Sequence, residues 1–299
     1  MTTTSSKIVF TGITGLLGGY FLKTKKSGYG IIGIGNKNIS QNNDNFFQID
    51  ITNKKQVLDF INKINPSVII HAASIGNVDY CERNPDEAYK VNIEGTKNII
   101  NAAKKARAKI IFLSSNAVFD GNNPLYDEKA LSSPIDIYGK TKKEGESLIK
   151  MSGLNFVILR LMTMYGWPQA GGRGNPVTWI IDKLKTGEKI NVVSDIYNNH
   201  LWAGQAAEVI WEILKKDIKN ETYNIAGMDC ISRYDLALKV AKIFELDPSL
   251  ITPVTSDFFK SIAKRPKNTC FNVSKMETQL GIKAVSIDEG LALMREESK

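Results

Sequence analysis

Short apolar runs alternate with amphipathic segments in the first half of the chain. The runs are rich in Ile, Val and Phe, as strands are, and they lie at residues 7–10, 30–34, 46–49, 67–71, 109–113 and 155–159. Between runs, residues such as Ile99, Ala103 and Ala106 recur at helical spacing. Because parallel strands need a crossover that is usually a helix, this order predicts an α/β fold with a doubly wound parallel sheet.

The pattern changes at about residue 165. A loop rich in Gly and Pro, residues 166–176, comes first. Helical patterns then follow at residues 177–186, 203–216 and 233–246, with short strands near 190–193 and 222–225. We therefore predict a Rossmann domain over residues 1–164 and a smaller, α-rich substrate-binding portion over residues 165–299, whose strands can cross back to the first domain.

The composition is that of an ordinary folded protein. Of 299 residues, 42% are hydrophobic and 23% are charged, which excludes a wholly disordered or fibrous chain. No apolar run approaches the roughly 18 residues that a membrane span needs. The polar residues 1–6 lack the regions of a signal peptide. We therefore expect a cytoplasmic protein with no membrane association.

Charge and cysteine content narrow the choice of partner. Lys and Arg number 39 against 31 Asp and Glu, a net charge of +8, but the lysines come in scattered pairs without interleaved aromatic residues. We therefore expect no nucleic-acid binding, and an anionic small molecule accounts for the charge equally well. The cysteines Cys81, Cys230 and Cys270 are widely spaced and accompanied by only two histidines, so neither a disulfide framework nor a structural zinc site is expected.

A glycine-rich loop follows the first predicted strand and opens the first predicted helix. A dinucleotide pyrophosphate needs backbone N–H groups at a helix N-terminus, and only residues without a Cβ allow the tight turn and the close approach. We therefore predict a dinucleotide at this loop. The candidate contacts are Gly12, Thr14, Gly15, Leu16, Leu17 and Gly18.

The end of the second predicted strand bears on which dinucleotide binds. An acidic residue there would bind the ribose 2′-hydroxyl of NAD, but the chain has Asn36 and Lys37. Because Lys37 could neutralise a 2′-phosphate, we predict NADP(H) in preference to NAD(H); a solvated loop lysine is the alternative. Further cofactor contacts are expected after the third and fourth strands, at Asp50, Ile51, Ala72, Ala73 and Ser74.

Tyr138 and Lys142 stand four residues apart at the start of a predicted helix and share one face. A phenol with a pKa of about 10 exchanges protons poorly at neutral pH unless a nearby ammonium favours the phenolate. Lys142 supplies that charge and would also hold the nicotinamide ribose. Ser115 follows the strand predicted at 109–113, at the sheet edge where α/β folds bind ligands. We predict a hydride-transfer site in which Tyr138 exchanges a proton and Ser115 hydrogen-bonds a carbonyl.

Together these motifs resemble the extended short-chain dehydrogenase/reductases. The resemblance covers nearly the whole chain and rests on residues 11–18, 50–51, 71–73, 92–96 and 113–115, and on Tyr138 with Lys142. A closer resemblance, to the dTDP-4-dehydrorhamnose reductase subfamily, rests on residues 118–121, 138–146 and 265–268. It implies reduction of a 4-keto group on a 6-deoxy nucleotide sugar, with NADPH as the donor.

The resemblance also guides the substrate assignment. Dehydratases of this superfamily carry an Asp-Glu pair after the catalytic hydroxyl residue, whereas this chain has Asn116 and Ala117, which favours a reductase. The rhamnose reductases carry a Tyr at Ala117, a Trp near Thr163 and a Pro at His200, so we expect a reshaped pocket. The candidate substrate contacts are Asn116, Thr163 and Arg265, with Arg265 and also Arg160 available for the diphosphate.

Two other functions fit the same motifs. A nucleotide-sugar epimerase uses the same residues and retains its NAD through the catalytic cycle. The beta subunit of methionine adenosyltransferase is similar at residues 114–124 and 138–142, and there the function is to bind a partner. For the assembly state we consider a homodimer; the sugar and the nucleotide base stay open.

Overall fold

Thirteen strands occur in the computed structural model, which describes residues 6–36 and 45–298. They are β1 (Ser6–Thr11), β2 (Tyr29–Gly35), β3 (Phe46–Gln48), β4 (Val68–His71), β5 (Lys109–Ser115), β6 (Phe156–Leu161), β7 (Met164–Tyr165), β8 (Ile190–Val193), β9 (Tyr197–Asn198), β10 (Leu201–Trp202), β11 (Glu221–Ile225), β12 (Ile231–Ser232) and β13 (Ile251–Val254). Seven of them form one parallel sheet in the order β3-β2-β1-β4-β5-β6-β11.

The described residues also form ten α-helices. They are α1 (Leu16–Lys23), α2 (Lys54–Ile64), α3 (Val78–Arg83), α4 (Pro85–Tyr89), α5 (Gly95–Ala106), α6 (Ile137–Lys150), α7 (Pro176–Lys185), α8 (Ala203–Lys215), α9 (Arg233–Ile243) and α10 (Ile287–Glu296). Over the same residues, no helix combines the length and the apolar character of a bilayer span.

The sheet is covered on both faces, which confirms the predicted doubly wound fold. Helices α1 and α8 pack in one hydrophobic cluster with the sheet, and α2, α5 and α6 contribute to the other. Covering on both faces explains why all seven residues of β5 are buried and why such strands read as continuous apolar runs. The strand order reverses between β1 and β4, and open α/β sheets bind ligands at the carboxyl ends of the strands beside such a point.

A second hydrophobic core lies in the later part of the chain. It contains Val177 and Ile180 of α7, Leu236 and Val240 of α9, and Leu291 of α10. Strand β8 pairs with β13 beside this core. Strand β11, in contrast, pairs with β6 and extends the main sheet. The later part is therefore α-rich, and its strand β11 joins the main sheet.

The segment between β4 and β5 is more broken than its sequence suggested. Two short helices, α3 and α4, precede a π-helical turn at Lys90–Glu94, which continues into α5. In this turn the Asn92 side chain accepts from Ile75 N at 2.8 Å and donates to Thr141 Oγ1 at 3.0 Å. The turn thereby ties the segment after β4 to helix α6.

One disulfide contradicts the expectation that the cysteines form no disulfide framework. Cys230 and Cys270 are bonded, with their Cα atoms 5.8 Å apart, across 40 residues of sequence. Spacing alone carries no signal at that separation. Strand pairing of β9 with β12, and a bridge between Tyr197 and Asn268, bring the two positions together. Cys81 is free and buried.

Candidate active site

The glycine-rich loop joins β1 to α1 with little room for side chains. Gly12 has a φ of +72°, and a Cβ added there would lie 2.9 Å from Ala73 N. A Cβ at Gly18 would collide with the Ile13 carbonyl. The loop therefore brings its own backbone directly against the segment that follows β4, and the first turn of α1 packs on the loop itself. Such a helix start presents N–H groups to an anion.

A buried hydroxyl pins the segment after β4. Thr11 Oγ1 accepts from Ala72 N at 3.1 Å and from Ala73 N at 3.0 Å, and it contacts His71 Nδ1 at 2.8 Å. The other ring nitrogen of His71 lies 2.9 Å from Thr96 Oγ1. Burial, with the Lys142 charge nearby, lowers the pKa of His71 to about 3. His71 is therefore a neutral structural link at neutral pH.

Ser115, Tyr138 and Lys142 converge at the carboxyl end of β5. Helix α6 begins at Ile137 because the carboxylate of Asp136 caps it, accepting from Gly139 N at 2.7 Å. Lys142 Nζ lies 5.8 Å from the centroid of the Tyr138 ring. The structure thus brings together the three predicted catalytic side chains.

The charges of Tyr138 and Lys142 are set mainly by burial. Burial raises the pKa of Tyr138 to about 12, against a hydrogen bond with Ser115 that lowers it. Burial lowers the pKa of Lys142 to about 8. The Lys142 ammonium donates to the Leu113 carbonyl at 2.9 Å, so it does not produce the low phenol pKa that the sequence predicted. Tyr138 stays protonated at neutral pH and is placed to donate a proton.

One cavity of about 610 Å³ runs along this edge of the sheet. It is lined by thirteen of the predicted residues: Gly12, Gly15, Leu16, Leu17, Gly18, Ala72, Ser74, Ser115, Asn116, Tyr138, Lys142, Thr163 and Arg265. The glycine loop lies against the same open space as the catalytic trio. A dinucleotide bound at the loop would therefore have its reactive end within reach of Tyr138.

Three arginines line the cavity, and sequence reasoning found only Arg265. Arg265 Nη2 bonds Asp79 at 2.8 Å, while its Nη1 is buried without a hydrogen-bond partner in the described residues. Arg233 Nε is buried and unpartnered in the same way, and Arg173 lines the same space. Buried donors without partners are costly, so this wall is suited to an anionic ligand. The sequence signal that could have found Arg233 is its place at the start of a predicted helix, directly after the N-cap residue.

The comparisons with known proteins agree with this geometry. Residues 6–299 match the family model described as RmlD substrate binding domain. The chain belongs to this family. It is 32% identical to a dTDP-4-dehydrorhamnose reductase from Aggregatibacter actinomycetemcomitans over 249 residues, 79% of this chain and 83% of that protein. It is 30% identical to methionine adenosyltransferase 2 subunit beta from Rattus norvegicus over 286 residues, 93% of this chain and 83% of that protein.

Solved structures place the RmlD-family chain in the same group. The dTDP-4-dehydrorhamnose reductase from Bacillus anthracis, in complex with NADP, has a TM-score of 0.89 and 28% identity, covering 98% of this chain and 99% of that chain. A UDP-glucose 4-epimerase from Thermotoga maritima has a TM-score of 0.84 over 98% of this chain and 100% of that chain, but its 21% identity shows the fold alone. The predicted extended reductase fold and oxidoreductase class are confirmed at the level of the family.

Several predicted residues lie away from the cavity of this RmlD-family protein. Ile51 is buried in the core against Gly95, and the Asp50 carboxylate accepts from the backbone N–H and hydroxyl of Thr52, both at 2.9 Å. Lys37 lies outside the described residues. The predicted residues that the cavity does not reach are Thr14, Asn36, Asp50, Ile51 and Ala73.

The structure corrects the predicted role of Arg160. It was a candidate for the substrate diphosphate, but it is 3% exposed and bonds Glu146 through two nitrogens, at 2.9 and 2.8 Å. A guanidinium that is paired in this way is not free for a ligand. Arg160 therefore faces helix α6, which carries Glu146, rather than the cavity.

The predicted reshaping of the pocket rests on Ala117, Thr163 and His200. Ala117 and Thr163 line the cavity, whereas His200 does not. Asn116 Nδ2 donates to Thr269 Oγ1 at 2.8 Å, and Asn198 Nδ2 donates to the same oxygen at 2.8 Å. Asn116 is therefore held by its neighbours and presents a fixed amide to the cavity.

A second cavity, of about 750 Å³, adjoins the first. The two share Arg233 and Arg265 as part of their walls. The half-exposed aromatic side chains of Trp179 and Phe259 also line it. The arginines thus stand between a polar space, next to the catalytic trio, and a space with aromatic walls.

Proposed function

We propose that the protein reduces a 4-keto-6-deoxy nucleotide sugar with NADPH. One observation carries this proposal: a single cavity runs from the glycine loop, past Tyr138 and Lys142, to the unpartnered donors of Arg233 and Arg265. A hydride donor, a proton donor and a diphosphate group can occupy that space in order.

The residues present fit a dinucleotide. The space beside Gly12 is one that a Cβ would fill, and the first turn of α1 opens onto it. When bound, the dinucleotide supplies the hydride. Lys142 would hold its nicotinamide ribose, and Gly15 and Gly18 would lie against its phosphates. The preference for NADPH over NADH rests on Lys37, and the NADP-bound relative from Bacillus anthracis supports it.

The proton comes from the chain itself. Because the pKa of Tyr138 is raised to about 12, its hydroxyl is protonated at pH 7 and donates to the developing alkoxide of the substrate. The Ser115 hydroxyl hydrogen-bonds the same oxygen. The Lys142 ammonium would hold the nicotinamide ribose beside this proton transfer, and Asn116 offers no carboxylate for an elimination.

Arg233 and Arg265, which line the cavity, would bind the diphosphate of the nucleotide. The planar guanidinium groups of Arg233 and Arg265 suit phosphate oxygens, and the adjoining aromatic-walled cavity has room for a base stacked on Trp179. The sugar would then face Tyr138. Ala117 and Thr163 contact it with smaller side chains than the rhamnose reductases carry, so this pocket accepts a different or bulkier sugar.

The test is NADPH oxidation with a panel of 4-keto-6-deoxy nucleotide sugars, beside NADH, using wild type and Tyr138→Phe. We expect turnover of at least one substrate, a lower KM for NADPH than for NADH, and a fall in kcat of about 10²- to 10⁴-fold in the variant. NADPH binding by fluorescence should be the same in both proteins. Full activity of Tyr138→Phe would overturn the mechanism.

A second candidate is a regulatory subunit. The observation that favours it is the 30% identity to methionine adenosyltransferase 2 subunit beta over 93% of this chain. Co-purification with a synthetase, together with no turnover of any keto sugar nucleotide, would support it. An epimerase, in contrast, would purify with tightly bound NAD and would interconvert sugars without consuming NADPH.

A further inference from the structure

A buried ion pair lies directly behind the catalytic trio. Glu146 and Arg160 are each 3% exposed. Arg160 Nε donates to Glu146 Oε1 at 2.9 Å and Nη2 donates to Oε2 at 2.8 Å, a two-point contact. The Ser114 hydroxyl donates to Oε1 at 2.6 Å. The carboxylate therefore accepts three hydrogen bonds in a site closed to water.

Two of these three residues come from the elements that carry the trio, and Arg160 comes from the neighbouring strand β6. Glu146 lies one turn beyond Lys142 on α6, and Ser114 immediately precedes Ser115 at the end of β5. Arg160 stands directly opposite Ser114 in the register of β5 with β6. Contacts at Glu146 thus join the strand that presents Ser115 to the helix that presents Lys142.

We propose that Glu146, held by Arg160, is a positioning residue that fixes α6 against β5 and provides the negative charge that keeps the Lys142 ammonium protonated. This proposal rests on the proposed function, because the reaction needs Lys142 charged. Glu146 is buried and lines neither of the two cavities described above, so it acts through Lys142 and Ser114.

The groups around Lys142 leave Glu146 as the relevant negative charge. Burial raises the pKa of the Cys81 thiol to about 11, and Tyr138 is likewise neutral at pH 8. His71 is neutral as well, because its pKa is lowered to about 3 by burial. Burial lowers the pKa of Lys142, whereas negative charge at Cys81 or Glu146 raises it, and the Cys81 thiol is neutral at pH 8. Removing the Glu146 carboxylate should let Lys142 lose its proton at a lower pH.

Arg160 allows a test in which the Lys142 titration is expected to shift in the opposite direction. It neutralises Glu146, so replacing Glu146 leaves an unpaired cation near Lys142, and replacing Arg160 leaves an unpaired anion. Lys150, half exposed, reaches Glu146 Oε2 only at 3.9 Å and does not replace the buried partner. The two substitutions should therefore move the Lys142 titration in opposite directions, whereas a purely structural pair would lose stability in both cases without opposed shifts.

The experiment measures the Lys142 titration in Glu146→Gln, Arg160→Gln and the double variant. One readout is the alkaline limb of the pH profile of kcat/KM. The other is the ¹⁵N chemical shift of Lys142 Nζ, assigned by its absence from Lys142→Arg, which needs no turnover. We expect a shift of about one pH unit downward for Glu146→Gln and about one unit upward for Arg160→Gln. The double variant, with no unpaired charge, should return towards wild type.

Glu144→Gln is the matched control. Glu144 lies on the same helix but is exposed, where solvent screens its charge, so the titration should not move. Shifts of the same sign in both single variants, or no shift, would overturn the proposal. If Arg160→Gln does not fold, Glu146→Gln and the double variant still decide the sign. If wild type turns over no substrate, the proposed function fails while the NMR titration still tests the role of Glu146.

Discussion

Both histidines of the chain are buried, but their surroundings differ. His71 has a hydroxyl partner at each ring nitrogen. His200 is 1% exposed, and neither of its ring nitrogens has a hydrogen-bond partner in the described residues. Burial lowers the pKa of each to about 3. At neutral pH, neither ring carries a charge or offers a proton to the active site.

These histidines make the fold sensitive to acid. The unfolded chain binds a proton at each histidine below about pH 6.5, whereas the native state does so only near pH 3. Stability therefore falls as pH drops below about 6.5, by up to about 1.4 kcal/mol per pH unit for each histidine. His200→Leu should remove half of this histidine contribution, measured as the difference in unfolding free energy in urea between pH 7.5 and pH 5.

The comparison with wild type isolates this effect, because the carboxylates titrate in both proteins. Equal losses of stability in His200→Leu and wild type, over the same pH range, would contradict the assignment. A smaller loss in the variant also separates His200 from His71, whose hydrogen bonds stay in place.

At the residue scale, sequence could predict what local spacing determines. Turn geometry accounts for Gly12, and helical periodicity accounts for Tyr138 with Lys142, because both act over a few residues. Arg160 was expected to bind the diphosphate but is paired with Glu146, whereas Arg233 was not expected at the cavity and lines it. Whether a guanidinium is paired depends on a partner far away in sequence, and nothing near Arg160 announces Glu146 as its partner.

At the scale of elements, apolar runs located every strand of the main sheet. The run at residues 190–193 coincides with β8, in which Ile190, Val192 and Val193 are buried and Asn191 is exposed. Helices α3 and α4 were missed because six and five residues are too few to show an apolar period. The π-helical turn at Lys90–Glu94 has five residues, too few to show a period, and tertiary contacts of Asn92 stabilise it.

Helix α9 offers a test of how an element supports the site. Its N-cap Ser232 accepts from Asp235 N at 3.0 Å in a reciprocal capping box, and Arg233 is the next residue. Ser232→Ala should lower the unfolding free energy by about 1 kcal/mol. Because the helix start frays, Arg233 loses its fixed position, and we expect the KM for the nucleotide sugar to rise several-fold with little change in kcat.

Ser286→Ala is the control for that variant. Ser286 forms the same capping box with Glu289 at the start of α10, which lines neither cavity among the described residues. It should lose similar stability in a urea titration and keep its KM. Similar rises of KM in both variants would mean that general loosening, rather than the position of Arg233, sets the affinity.

At the scale of the whole molecule, the disulfide bears on where the protein works. The predicted location is the cytoplasm, where thiols are kept reduced, yet Cys230 is exposed and bonded to the buried Cys270. Closing a loop of this length stabilises a fold by about 2–4 kcal/mol. We expect dithiothreitol to lower the urea unfolding free energy by that amount.

The double variant Cys230→Ala/Cys270→Ala supplies the comparison. It should show the lower stability of the reduced protein, with and without dithiothreitol. If wild type unfolds at the same urea concentration with its disulfide intact and after its reduction by dithiothreitol, the bond contributes nothing to the stability of the fold.

The disulfide also closes residues 230–270 into a covalent ring. The ring contains α9, β13 and Arg265, and its two closing cysteines lie three residues from Arg233 and next to Thr269, both at the cavity wall. A single backbone cut anywhere inside the ring would leave one covalent molecule, with both new ends still anchored at the active site. The same cut after reduction would divide the chain into two separate fragments.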